Sequence, residues 1–259
     1  KTNVTSLKQV RIIPQSSCYV IEIVYEKQEK EISNNDNYLS IDLGLNNLMT
    51  CYDTKNNKSL IINGKPVKSI NQYYNKKKTA IQSKLIKNHN KYTSNKLNNL
   101  TLKRNNKITD YLHKSSRFIV NYCVENQISN LIVGYNKEWK QEINIGKRNN
   151  QNFTNIPHQK LIYMLEYKCK LEGINFKQNE ESYTSKCSAL HLESLNKHEN
   201  YMGRRVKRGL FVSSNGIKIN ADLNGALNIL RKVVPDKGEE IIQTQRYRGQ
   251  AIWPSKINL

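Results

Sequence analysis

The chain is short of acid. Its 259 residues carry 42 Lys and Arg against 21 Asp and Glu, a formal charge of +21. A surplus of that size needs an outlet in nucleic acid, an anionic membrane or an acidic partner. No apolar run approaches the ~18–20 residues of a membrane span, and no signal-peptide pattern opens the chain; no membrane is expected. Cysteine is sparse: Cys18, Cys51, Cys123, Cys169 and Cys187 are odd in number, scattered and without a C-x-x-C pair. That excludes a disulfide framework, and reduced packing thiols in a cytoplasmic protein (nucleoid-associated if bacterial) are expected. Neither a Ser-His-Asp arrangement nor a phosphate-cradling G-x-x-x-x-G-K loop is present, so no small-molecule cofactor is expected. Few Gly and Ala beside abundant Asn, Lys and Ile indicate an AT-rich gene and exclude no function. No internal repeat is visible. The chain is long enough for one sizeable core, and its first residue, Lys rather than Met, reads as that of a fragment.

Two blocks stand out. Residues 39–48 read Leu-Ser-Ile-Asp-Leu-Gly-Leu-Asn-Asn-Leu, with Asp42 closing a short apolar run and Gly44 allowing a sharp turn. Residues 216–229 place Asp222 at the head of a run with Leu223, Ala226, Leu227 and Leu230 at helical spacing. An acid at a strand end and another at a helix start, in so basic a chain, point to cations gathered against phosphate. Taken singly, each is as well explained as a surface or capping residue.

The alternating stretch 19–25 and the polar run 26–37 read as the end of a preceding β-rich, wedge-like domain and a linker, covering residues 1–37. Strands are expected at 38–43, 48–52 and 59–62, joined as a meander. From about Ser69 the pattern turns helical. Residues 65–117 hold fourteen Lys or Arg against Asp110 alone, and Ile108, Tyr111, Leu112, Ser115, Phe118, Ile119 and Tyr122 form an apolar face. A charge run is often only a solvated surface; this one is long and one-signed, and Lys76, Lys77, Lys78, Lys84, Lys103, Arg104 and Lys107 are candidate nucleic-acid contacts. His113, beside that face, reads as structural. Leu131-Ile132-Val133 predicts a buried parallel strand ending at Gly134. A helix over 153–173, with Pro157 in its first turn, and a short strand at 174–176 follow. The order predicts an α/β fold with a mixed sheet and helices on its faces.

Together these blocks resemble the RuvC-type nuclease core of the transposon-encoded TnpB family, RNA-guided endonucleases related to type V CRISPR effectors. The resemblance rests on Ile41-Asp42-Leu43-Gly44-Leu45-Asn46-Asn47, on Tyr183-Thr184-Ser185-Lys186 and on residues 220–229. Gly134-Tyr135-Asn136, Trp139-Lys140-Gln141 and Asn150-Gln151-Asn152-Phe153 add to it. It runs colinearly from about residue 38 to 232. It implies an RNase H-like (RuvC-type) core in three parts (38–64, 128–186 and 219–259), interrupted by a basic helical insertion (65–127) and a basic insert (187–218). It also implies two Mg2+ ions, a guide RNA and a target DNA. The activity implied is metal-dependent DNA cleavage by a protein often described as a transposase; a nuclease-dead, RNA-guided repressor is the alternative.

Two departures from the family's pattern bear on the site. Most members carry a catalytic glutamate where this chain has Gly134; a branch supplies the acid from the next strand, and the matching residue is Glu181. The expected metal ligands are therefore Asp42, Glu181 and Asp222. Glu180 is placed on the opposite face if the strand persists that far. Members also usually carry a zinc ribbon of two C-x-x-C pairs. Here Cys187, His191 and His198 are too few for four-coordinate structural zinc, and none is expected. In that insert Arg204, Arg205, Lys207 and Arg208 either lie along a phosphate backbone or decorate a hairpin. Trp139, between Lys137 and Lys140, either stacks on a base or anchors a loop.

Overall fold

A computed structural model describes residues 4, 6–15, 18–135, 156–248 and 253–259. Strands β1 (Leu7–Gln15) and β2 (Cys18–Tyr25) form an antiparallel hairpin of their own. Next come β3 (Tyr38–Leu43), β4 (Asn47–Asp53) and β5 (Lys58–Asn63), the expected meander. Helices α1 (Lys65–His89) and α2 (Asn95–Glu125) pack side by side before β6 (Asn130–Gly134). After α3 (His158–Leu171) and β7 (Asn175–Asn179), the insert forms a small sheet of β8 (Gly203–Lys207), β9 (Leu210–Ser213) and β10 (Lys218–Asn220). The described elements end with α4 (Ala221–Val233), α5 (Pro235–Arg248) and β11 (Ser255–Ile257).

The central sheet runs β11-β5-β4-β3-β6-β7. β6 and β7 lie parallel to β3, while β4 runs against it. Strand alternation distributes the side chains. Leu39, Ile41, Leu43, Leu131 and Val133 meet α2 and α3 in one buried cluster. Ile132 and Tyr52 meet α4 and α5 on the other face. Covered on both faces, these strands carry few polar positions, so Ser40, Asp42 and Thr50 on the α4 face stand out.

The elements differ from expectation where pairing or capping decides. α1 begins at Lys65, ahead of Ser69, because Pro66 in the first turn needs no amide partner. Asn90, at φ 48°, ends it and so divides the basic stretch into two helices. The α2 face expected from periodicity is buried at Ile108, Tyr111, Leu112, Ser115 and Ile119. α3 starts at His158 with Pro157 as the residue before its first turn, and Gly173 (φ 69°) follows its end; residues 153–155 lie outside the described set. β7 runs to Asn179 because its ladder follows β6 residue for residue, pairing Asn175 with Asn130 and Asn179 with Gly134. β11 carried no sequence signal. No helix among the described residues is long and apolar enough to cross a membrane.

Candidate active site

The site forms where the ends of β3 and β6 meet the start of α4. Asn220 nucleates that helix: its side-chain oxygen accepts from the amides of Asp222 at 3.0 Å and Leu223 at 3.1 Å. The cap sets Asp222 in the first turn, and Leu223, Ala226, Leu227 and Leu230 anchor the helix in the core. Asp42 comes from β3 on the same side of the sheet. A Cβ on Gly225 would stand 2.8 Å from Asp42 Oδ2 and 3.1 Å from its Cγ. Only glycine lets α4 approach that carboxylate so closely. Burial, then the charges of Asp222 and Glu181, push the Asp42 carboxyl well above the usual range, with Arg205 pulling the other way.

Glu181 reaches the cleft from beyond β7. The strand stops at Asn179, so Glu180 and Glu181 lie beyond it, just before the turn of residues 182–186, and not in a persisting strand. The Thr184 amide donates to Glu181 O at 3.2 Å, and Tyr183 takes φ 67°. A Cβ on Gly134 would clash with Ile229 Cδ1 and stand 3.1 Å from Glu181 Oε2. The Glu181 carboxylate thus borders the space into which a side chain at 134 would grow. Burial, then Glu180, push its carboxyl up to about 7 against the pull of Lys232. Glu180 points elsewhere: Lys232 Nζ donates to it at 2.6 Å and the Ser182 amide at 2.7 Å.

Asp222 is engaged at both oxygens, by Asn47 Nδ2 at 2.7 Å and by the Arg205 guanidinium at 2.6 Å. Among the described residues, no three His, Cys, Asp or Glu side chains stand as a preformed metal cluster. The donor set nevertheless fits a hard divalent cation. Asp222 and Glu181 both act on the buried Asp42 carboxyl, and Glu181 Oε2 is buried without a hydrogen-bond partner among the described residues. Ser40 Oγ and Thr50 Oγ1 on the same face are also buried and unpartnered there.

Gly225→Ala separates geometry from stability. The added methyl displaces the Asp42 carboxylate, while helix propensity favours Ala by ~1 kcal/mol. We expect Tm to hold within about 3 °C and any metal-dependent activity to drop about a hundredfold, the scale for disturbing a ligand's support. Parallel thermal melts and turnover assays check it.

The other candidates scatter. Lys76, Lys77, Lys78 and Lys84 lie on α1, and Lys103, Arg104 and Lys107 on α2. Arg104 donates to Asn71 Oδ1 at 2.8 Å. Arg204, Arg205 and Lys207 lie on β8, so the insert forms the hairpin, with Arg208 in its turn. Of these, Arg205 reaches the carboxylates. His113 is exposed on α2. Trp139, its neighbours Lys137, Lys140 and Gln141, and residues 150–153 lie outside the described residues.

In the insert, Cys187 Sγ donates to Ser194 O at 3.3 Å, and the His191 ring meets the hydroxyls of Ser188 and Ser214, each at 3.1 Å. His198 Nε2 meets Ser194 O at 2.7 Å. The polar network that ties the insert to α4 went unread in the sequence. Buried Glu193 accepts from the Ser188 amide at 2.6 Å and the Met202 amide at 2.9 Å. Asn228 donates to Thr184 O at 2.9 Å and Cys187 O at 2.8 Å, and Arg231 bonds both Asn228 Oδ1 and Glu193 O. Asn224 and Asn228, four apart on a helix otherwise buried by apolar residues, were the available signal. Asn47 was also missed; it carried no signal beyond its place in the first block.

The chain is similar to several known proteins. The OrfB_IS605 family model, described as a probable transposase, matches residues 22–140. The Cas12f1-like TNB domain matches residues 158–229. A TnpB-like protein, ORF457 of Acidianus two-tailed virus, is 35% identical over 78 residues, which is 30% of this chain and 15% of that protein. Among solved structures, a Cas12f1–sgRNA–target DNA complex superposes with a TM-score of 0.53 at 17% identity, covering 85% of this chain and 55% of that one. A CRISPR-Cas12f ternary complex gives 0.53 at 21% identity, covering 85% and 44%. The fold is thus the RuvC-like mixed α/β fold of those chains. The chain spans about half or less of the proteins it matches.

Proposed function

We propose, from its likeness to TnpB-family proteins, that the chain is the nuclease portion of an RNA-guided, metal-dependent DNA endonuclease of a transposable element. One observation carries the reading: carboxylates from two further segments, Asp222 and Glu181, act on buried Asp42, and Glu181 borders the space beside Gly134. Asp42, Glu181 and Asp222 are the groups that would hold two Mg2+ ions, which supply the Lewis acidity that activates water and stabilises the departing oxygen. Asn47 orients the Asp222 carboxylate. Arg205 lies at the mouth of the site, where its guanidinium suits a phosphate oxygen as well as Asp222. The cationic helices and β8 hold the nucleic acid through phosphate contacts. Pairing of a guide RNA with target DNA, the partners named in the Cas12f1–sgRNA–target DNA complex, then supplies sequence choice.

A second reading is an RNA-guided repressor without cleavage. The double engagement of Asp222 by Asn47 and Arg205 favours it. One experiment separates the two. RNA that copurifies with the protein is sequenced, and DNA matched to it is incubated with the complex in Mg2+ or in chelator. Cleavage of matched DNA in Mg2+ alone supports the endonuclease; guide-dependent binding without cutting supports the repressor. Absence of guide-dependent binding removes both.

A further inference from the structure

Away from the carboxylates, α1 and α2 enclose a cleft of about 940 Å³. Its floor is apolar and aromatic, from Ile70, Tyr73, Tyr74, Ile81 and Leu100; its rim carries Lys77 from α1 and Lys96, Lys103 and Lys107 from α2. None of these four lysines is in an ion pair with a described residue. The two tyrosines are unequal. Tyr74 is held by its hydroxyl at 3.1 Å from Thr101 Oγ1, with the Arg104 guanidinium 5.5 Å from its ring. Tyr73 is 60% exposed, and Lys77 Nζ stands 5.8 Å from its ring. A large aromatic face is thus left open to solvent beside cations.

We propose that this cleft is a subsite for unpaired nucleotides, with a base stacked on Tyr73 and the flanking phosphates on Lys77, Lys103 and Lys107. The inference deepens the reading of the chain as a nucleic-acid enzyme and rests on it. Charge selects the partner class: residues 65–117 hold fourteen Lys or Arg and one acid. The floor selects the form. A paired duplex offers phosphates to the lysines but keeps its bases stacked within, and would leave the apolar floor and Tyr73 unused. A single strand fits both, since a cationic groove with an aromatic platform suits a flexible backbone with exposed bases. The ring recognises no particular base, so little sequence preference is expected.

The test measures binding of the whole chain, in chelator, to three fluorescent probes: an unstructured oligothymidylate, a blunt duplex of equal length and an acidic amphipathic peptide. Tyr73→Ala should weaken oligothymidylate binding about tenfold, the scale of one lost stacking contact, and leave duplex binding unchanged. Tyr73→Phe should restore it, and Lys77→Glu with Lys103→Glu should weaken both nucleic acids. Melting curves of each variant exclude unfolding. Equal loss of both nucleic acids in Tyr73→Ala, or none in either, overturns the proposal; so does tight peptide binding that depends on Tyr73. Failure of the unaltered chain to bind any nucleic acid would instead remove the broader nuclease reading.

Discussion

Asp42→Asn is expected to abolish cleavage, lowering the rate by on the order of a thousandfold or more, as when a principal electrostatic stabiliser is removed, while guide-dependent DNA binding persists. Asn keeps the size of the side chain against Gly225 but removes the charge. Stability should move the opposite way. The Asp42 carboxyl is held well above its usual range by burial and by Asp222 and Glu181, so its ionised form works against the metal-free fold. Replacing it should raise the Tm measured in chelator, by about 2–4 °C for each kcal/mol relieved. A variant that binds, melts higher and does not cut assigns Asp42 to chemistry; one that cuts normally removes Asp42 from the site.

Glu181→Gln should have the second-largest effect, a loss of cleavage of about a hundredfold or more, whereas Glu180→Gln should cut normally. Glu180 is tied to Lys232 and Ser182 outside the cleft, and only Glu181 lies against Gly134. The pair also differs in pH dependence. The Glu181 carboxyl is raised to about 7 in the fold, above the ~4.3 of an unfolded glutamate. The folded chain therefore binds more protons than the unfolded chain between those values. The contribution is fully present below about pH 4 and is lost as pH rises through about 7, a difference of roughly 4 kcal/mol. Denaturant melts in chelator should show stability falling across that window, flattened in Glu181→Gln and retained in Glu180→Gln. An unchanged slope in Glu181→Gln would assign the titration to another group.

Much of this architecture was legible because local pattern and burial agree. The apolar run ending at Asp42, the helical spacing after Asp222 and the one-signed charge of 65–117 each follow from residue chemistry over a few turns or strand residues. The same local logic misjudged ends. The local pattern makes β7 too short because its length depends on hydrogen bonding to β6, a partner more than forty residues away. β11 is three residues long and exists by adding to the edge of β5, which no period within three residues can announce.

The sequence by itself determined the charge, the alternation that gives the sheet two buried faces, the helical run that opens at Asp222, and the two candidate glutamates. Only the tertiary structure shows which glutamate borders Gly134 and acts on Asp42, because that turns on where β7 stops and on the bare Cα of Gly134. It alone brought Arg205 and Asn47 onto Asp222, across 17 and 175 residues of chain. It alone joined Glu193 and Asn228 into the network that holds the insert. Such contacts join side chains distant in sequence, and polar residues with no period of their own acquire partners only when the packed core sets the distances between them.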